Sequence, residues 1–158
     1  MFNVLRATGL VTIQPYFKNT SKHLLKTPKF YFMDTWRCCF LTKWTNPEVL
    51  ERGAMAGAML ETYAVSEIIK LHTHNGSRVP VYYYADKERR EVDLLIKQDS
   101  CIHPIEIKKT ASVHNSGLWG FDFLRNIKTP VGHGYILCFY KELLPFSREI
   151  DIILIGYL

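Results

Sequence analysis

The chain has 158 residues, 47% of them hydrophobic and 22% charged, with a formal net charge of +5 from 20 Lys+Arg against 15 Asp+Glu. That length fits one domain with a substantial core and excludes a second complete one, and the composition excludes extended disorder. The basic balance favours a polyanionic partner such as nucleic acid without requiring it. No apolar run approaches the roughly 18–20 residues that span a bilayer, so no membrane partner is expected.

Residues 1–9 read as the end of a helix stopped by Gly9, followed by a strand over 10–16. A helical turn standing first has nothing against which to bury its apolar side, so the chain is expected to be the C-terminal portion of a longer protein. Next, Lys18, Lys22, His23, Lys26 and Lys29 crowd between the aromatic residues Tyr16, Phe17, Phe30, Tyr31 and Phe32. Such interleaving suits phosphate contacts and base stacking. Lys18, Lys22, Lys26 and Lys29 are therefore the candidate nucleic-acid contacts, with a solvated basic linker as the alternative.

A short strand over 29–33 leads to Asp34 and Thr35, which offer an N-cap for a helix over 35–42, and Pro47 suits the first turn of another. The strongest helical signal runs from 54 to 72, with Met55, Met59, Tyr63, Ile68 and Ile69 among its apolar positions; Asn75 and Gly76 end it. Three strand-like segments follow, 79–84, 91–97 and 101–107, and imply an antiparallel meander. A helix is expected over 117–127, then strands over 135–140 and 150–155. Cys38, Cys39, Cys101 and Cys138 form no CxxC pair and no zinc spacing, and read as reduced, mostly buried thiols. With no signal-peptide layout at the N-terminus, a cytoplasmic location is expected.

The chemistry concentrates in two of these strands, GluValAspLeuLeuIle at 91–96 and ProIleGluIleLysLys at 104–109. Strict alternation puts Glu91, Asp93 and Leu95 on one face and Val92, Leu94 and Ile96 on the other; Glu106 and Lys108 likewise oppose Ile105 and Ile107. Facing side chains in a hairpin lie about 4.5–5.5 Å apart, so Asp93, Glu106 and Lys108 are expected to converge. Two carboxylates and a lysine at that separation suit a divalent metal and a phosphate. Glu91 either extends the cluster or pairs with Arg89 or Lys97. The alternative for the whole set is a half-exposed hairpin with complementary surface charges.

Other residues make weaker cases. His72 and His74 sit near a helix C-terminus, where the helix dipole favours positive charge. His103 reads as an edge or surface residue, and His114 and His133 have no evident partners. No GxSxG element supports a serine triad.

The order of elements, with AspLeuLeuIle at 93–96 and GluIleLys at 106–108, resembles the PD-(D/E)XK nuclease superfamily. More closely, ProTyrPhe at 15–17, LysThrProLysPheTyrPheMetAspThr at 26–35, GlyAlaMetLeuGlu at 57–61, GluValAsp at 91–93 and ProIleGluIleLysLys at 104–109 look like the C-terminal domain of unknown function of prokaryotic AAA-type ATPases. The resemblance implies an α/β fold with a restriction endonuclease-like core over 54–158: helix, three-strand meander, helix, two strands. It makes 1–17 the remnant of a winged-helix end and 18–53 a basic linker and helical extension. The chain departs from the family pattern at Trp36, where glycine usually follows AspThr, and at Ala85, where arginine often precedes Asp. It has no GxxxxGK[ST] loop, so no ATPase activity is expected; the AAA module of the family is missing from it.

Carried over residue by residue, the resemblance makes Asp93 and Glu106 metal ligands, with the Ile107 backbone carbonyl as a third. Lys108 would orient the attacking water and offset transition-state charge, and Glu61 would be the helical acidic ligand. Glu67, six residues on, lies about 240° away around the helix axis and cannot share that site. Oxygen ligands favour Mg²⁺ or Mn²⁺. The implied function is a metal-dependent endonuclease acting on nucleic acid, with DNA expected. The alternatives are a catalytically silent module that binds DNA or protein, and a truncated remnant of a larger ATPase.

Overall fold

The computed structural model describes residues 2–17, 27–77, 80–85, 90–110, 119–122, 124, 127–140 and 144–158. Helix α1 (Phe2–Ala7) ends at Gly9, whose φ of +71° is readily reached only without a Cβ. Strand β1 (Val11–Gln14) follows and pairs antiparallel with β2 (Lys29–Phe32), with Gln14 opposite Lys29 and Thr12 opposite Tyr31. Asp34 then caps α2 (Thr35–Leu41) by accepting a hydrogen bond from the Arg37 N–H. Asn46 caps α3 (Pro47–Arg52) through the N–H groups of Glu48 and Val49. Helix α4 (Ala56–His74) is the long one, and it stops at Asn75 and Gly76, the latter at φ +70°.

The main sheet has six strands in the order β3-β4-β5-β6-β8-β7, formed by β3 (Val81–Ala85), β4 (Glu91–Gln98), β5 (Cys101–Ile107), β6 (Gly134–Cys138), β7 (Leu144–Ser147) and β8 (Ile150–Leu154). β3, β4 and β5 form the expected antiparallel meander, whereas β5–β6 and β6–β8 are parallel. The two-residue turn between β4 and β5 has Asp99 and Ser100 both at positive φ, as a primed hairpin turn requires. Strand β7 was not expected from the sequence; its four residues LeuProPheSer contain a proline, which weakens a strand signal and suits the sheet edge it occupies. The chain closes in a 3₁₀ turn, Ile155–Tyr157. Of the helix expected over 117–127, a single turn α5 (Trp119–Asp122) falls on described residues.

The sheet is covered on both faces. α4 lays Ala64, Val65 and Ile68 against Leu94, Ile105, Ile107 and Leu137. On the other face Phe121, Leu124 and Ile127 pack with Val92, Leu95, Ile102, Ile136 and Ile152. Near-continuous apolar runs such as TyrIleLeuCys in β6 follow from this double coverage. Among the described residues no helix is long and apolar enough to cross a membrane. All four cysteines are free thiols, with Cys38 and Cys138 buried and Cys39 and Cys101 partly so.

One expectation about the sheet fails. Val92 and Leu95 pack in the same core cluster, while Leu94 packs on the α4 side, so strict alternation along β4 is broken. The cause is a β-bulge: Tyr82 pairs with Leu95 but Tyr84 pairs with Val92, leaving Asp93 and Leu94 together opposite Tyr83.

Candidate acidic site at the bulge

The bulge turns Asp93 out of its regular place and leaves backbone groups without ladder partners. Two side-chain contacts compensate. The Asp93 carboxylate accepts a hydrogen bond from the Ile107 N–H at 2.9 Å, replacing a backbone carbonyl on that side of β5. Gln14, fully buried on β1, donates its Nε2 to the Tyr82 carbonyl at 2.8 Å and to the Asp93 carbonyl at 3.0 Å. One amide from β1 thus stitches β3 and β4 across the irregularity.

Continuing the β4–β5 register by one step from the Leu94–Ile105 pair puts Asp93 opposite Glu106. Glu106 is 8% exposed, and its Oε1 accepts from Lys108 Nζ at 2.5 Å while its Oε2 is buried without a hydrogen-bond partner. The Asp93 N–H also acts on this carboxyl and lowers its pKa. Burial prevails over this and over the Lys108 contact, and leaves Glu106 above the ordinary glutamate range. Asp93 is pushed up to about 7 by burial first, then by the charges of Glu106 and Glu61. For Lys108 burial pulls downward, but the bond to Glu106 outweighs it and raises the pKa, so the ammonium form is secured.

Glu61 reaches the same region from α4. Its Oε1 accepts from Tyr31 Oη at 2.5 Å and from Lys29 Nζ at 2.8 Å. Lys29 also pairs with Glu91, and these two carboxylates overcome its burial and raise its pKa to about 12. Burial, then the Glu61 charge, raises the Tyr31 phenol, which stays a donor. Glu67 points elsewhere, its Oε1 held by Lys70 Nζ at 2.7 Å.

Asp93, Glu106 and Lys108 therefore stand at one end of the β4–β5 hairpin, with Glu61 beside them. The four do not close into a ready cage: among the described residues no three His, Cys, Asp or Glu side chains form a metal-ligand group. The reason lies in their partners, since Glu61 is occupied by Lys29 and Tyr31, and Asp93 by Ile107. Lys29, expected at nucleic acid, pairs with Glu61 and Glu91 in this structure. Lys18, Lys22 and Lys26 lie outside the described residues. Glu91 pairs with Lys29 rather than with Lys97, and Arg89 lies outside the described residues.

Sequence reasoning missed Gln14 and Tyr31. Each left a trace: Gln14 is an amide at the end of an apolar strand, and Lys29 and Tyr31 share one face of β2. His133 was also misjudged, because its Nε2 stands 2.9 Å from Asp151 Oδ2 and its carbonyl 3.0 Å from His103 Nδ1. His114 lies outside the described residues. A cleft of about 780 Å³ opens beside His133, Pro104 and Arg148, and none of Asp93, Glu106 and Lys108 lines it.

Residues 56–158 match the family model of a domain of unknown function, DUF4143. Two uncharacterized proteins, from Mycobacterium bovis and Mycobacterium tuberculosis, are each 28% identical to the chain over 100 residues, 63% of this chain and 22% of theirs. The match thus spans about a fifth of the length of those curated relatives. No solved structure matches the chain.

Proposed function

The chain belongs to the DUF4143 domain family, and from its own residues we propose that it carries a divalent-metal-dependent phosphodiesterase site of the PD-(D/E)XK nuclease type, acting on nucleic acid, with DNA as the expected substrate. The observation that carries this is the buried carboxyl pair, Asp93 and Glu106, with Lys108 on its rim and one Glu106 oxygen left without a partner. Buried carboxylates without enough positive charge are costly, and an unsatisfied buried oxygen costs about 1–3 kcal/mol. A hard cation answers both deficits, and the all-oxygen donor set fits Mg²⁺ or Mn²⁺.

Asp93, Glu106 and the Ile107 carbonyl would hold that cation, with Glu61 as a further donor once Lys29 swings away. When bound it would offset phosphate charge and acidify water. Lys108 supplies a fixed ammonium beside the attacked phosphorus, orienting the incoming water and stabilising the charge that develops on the non-bridging oxygens. The Ile107 N–H holds the Asp93 carboxylate in place, so its orientation does not depend on the ligand. The AAA-type ATPase resemblance adds a context in which such a domain is carried by a larger machine.

Incubation of the purified chain with supercoiled plasmid and Mg²⁺ or Mn²⁺ tests this. Nicking should appear, vanish with EDTA, and fall by about 100- to 1000-fold in Asp93→Ala and in Lys108→Ala, as for loss of one transition-state contact. Plasmid left supercoiled under both metals while the chain still binds it would overturn the reading in favour of a silent binding module.

A further inference from the structure

Glu61 is held by two donors from one strand. Lys29 and Tyr31 stand two residues apart on β2, and so on one face of it. Both donate to the same Glu61 oxygen, Oε1, and Oε2 takes no part in either contact. The Lys29 ammonium is shared, because it also pairs with Glu91 Oε1 and lies 5.4 Å from the centre of the Tyr83 ring. Its main chain is fixed relative to the acidic cluster: Lys29 pairs with Gln14 across β1 and β2, and the Gln14 side chain donates to the Asp93 carbonyl. What is left to move is a flexible four-carbon stem ending in three donors and no acceptor. Its two carboxylates differ in surroundings, since the Glu61 side chain is 25% exposed and that of Glu91 is 42% exposed. Ion pairs weaken as water gains access. Lys29 therefore has at Glu91 a second carboxylate to retreat to, but one that does not by itself draw it away from Glu61.

We propose that Lys29 is a built-in competitor of the divalent ion, holding Glu61 until that ion binds and then withdrawing to Glu91 while Glu61 turns to the metal. The inference rests on the phosphodiesterase reading of the site, and it adds a regulation to that reading. An ammonium brings one charge to Glu61, whereas Mg²⁺ or Mn²⁺ brings two and prefers oxygen ligands. Glu61 thus favours the divalent ion, but only against Lys29, and the apparent metal affinity is lowered by the fraction of molecules in which Glu61 is free. Glu91 makes the exchange feasible. Lys29 touches it already, so the half-buried ammonium is never left without a carboxylate. Tyr31 donates to Glu61 as a neutral group and orients the carboxylate without opposing the charge of a metal. Lys108 stays outside the exchange, held by Glu106.

The test is an Mn²⁺ titration of the full chain, read from the electron paramagnetic resonance signal of free Mn²⁺ at about 0.15 M salt, where exposed charges more than about 8 Å apart are screened. Lys29→Met should tighten Mn²⁺ binding by about 10-fold, the factor for a Glu61 that is free in about a tenth of the molecules. Glu91→Gln should weaken it by about 3- to 10-fold, because Lys29 is then left with Glu61 as its carboxylate. The signature is that these effects depend on each other. In the Lys29→Met background Glu91→Gln should change Mn²⁺ affinity by less than about 2-fold, and so should Lys29→Met in the Glu61→Gln background. A thermal melt shows which variants are folded. An equal effect of Glu91→Gln with and without Lys29 overturns the inference, since a simple field effect acts alike in both. So does unchanged Mn²⁺ affinity in folded Lys29→Met, or in folded Glu91→Gln, which decides the matter alone if Lys29→Met does not fold. Additive effects in a chain that binds Mn²⁺ and nicks plasmid overturn this inference and leave the phosphodiesterase reading intact. Coupled effects in a chain that does not nick uphold the exchange and overturn that reading, and no Mn²⁺ binding by any variant overturns both.

Discussion

The two ends of the β4–β5 hairpin are built on opposite rules. At the turn end, from Ile96–His103 to Gln98–Cys101, the register is unbroken and the connection is a two-residue turn. At the open end, the ladder to β3 slips by a residue, Asp93 is re-aimed, Gln14 replaces lost backbone partners, and a Glu106 oxygen is left unsatisfied. Regularity along one hairpin stops where the carboxylates begin. Irregular pairing and unmet polarity at one location, in an otherwise doubly covered sheet, mark the place where stability is given up for something else.

Several substitutions break or sharpen that contrast. The largest effect is expected at Gln14→Leu, which removes the donor to two buried carbonyls; at about 1–3 kcal/mol for each orphaned group, a loss of about 2–6 kcal/mol should appear in urea unfolding. A loss below about 0.5 kcal/mol would show that the bulge does not depend on that amide.

The pH response should separate the ends next. Asp93 titrates at about 7 in the folded chain against an ordinary 3.8, and Glu106 is raised in the same direction. Between pH 4 and 7 the folded chain keeps a proton that the unfolded chain has released, so stability is full at the acid side and falls as pH rises through this window. Unfolding midpoints of metal-free chain should therefore decline from pH 4 to 7, and Asp93→Asn should flatten the decline. Added Mg²⁺ should restore stability at pH 7 by mass action.

Ser100→Gly, at the turn end, acts with the opposite sign. Ser100 sits at φ +71°, where a side chain costs about 1 kcal/mol, so this change should raise stability by about that amount without touching metal binding. The smallest effect belongs to Glu67→Gln. It removes a half-exposed pair with Lys70 on the outer side of α4 and should shift stability by about 0.3–0.5 kcal/mol, as a control far from either end of the hairpin.

Much of the framework was legible in the sequence because its signals are local. Gly9, Asp34, Pro47 and Gly76 mark ends of helices through φ preference and capping, and each does so in the structure. The Glu-x-Lys run of β5 and the acidic residue of β4 likewise sit at one location, because a two-residue turn fixes their register. What alternation misread was the facing of β4: a bulge is a relation between two strands, and no spacing within one segment encodes it.

The rest was decided only when distant segments met. Gln14 lies 79 residues from the carbonyl it satisfies at Asp93, and Lys29 and Tyr31 lie about as remote in kind from the α4 carboxylate they occupy, 32 and 30 residues away. Composition and motif determined that this chain would place two carboxylates and a lysine on a central hairpin. Tertiary packing determined that one carboxylate is re-aimed by a bulge and that burial raises the pKa of both. The physical reason is range: dihedral preference and side-chain period act within a few residues, whereas burial, electrostatic coupling and cross-strand hydrogen bonds depend on neighbours that only the folded chain supplies.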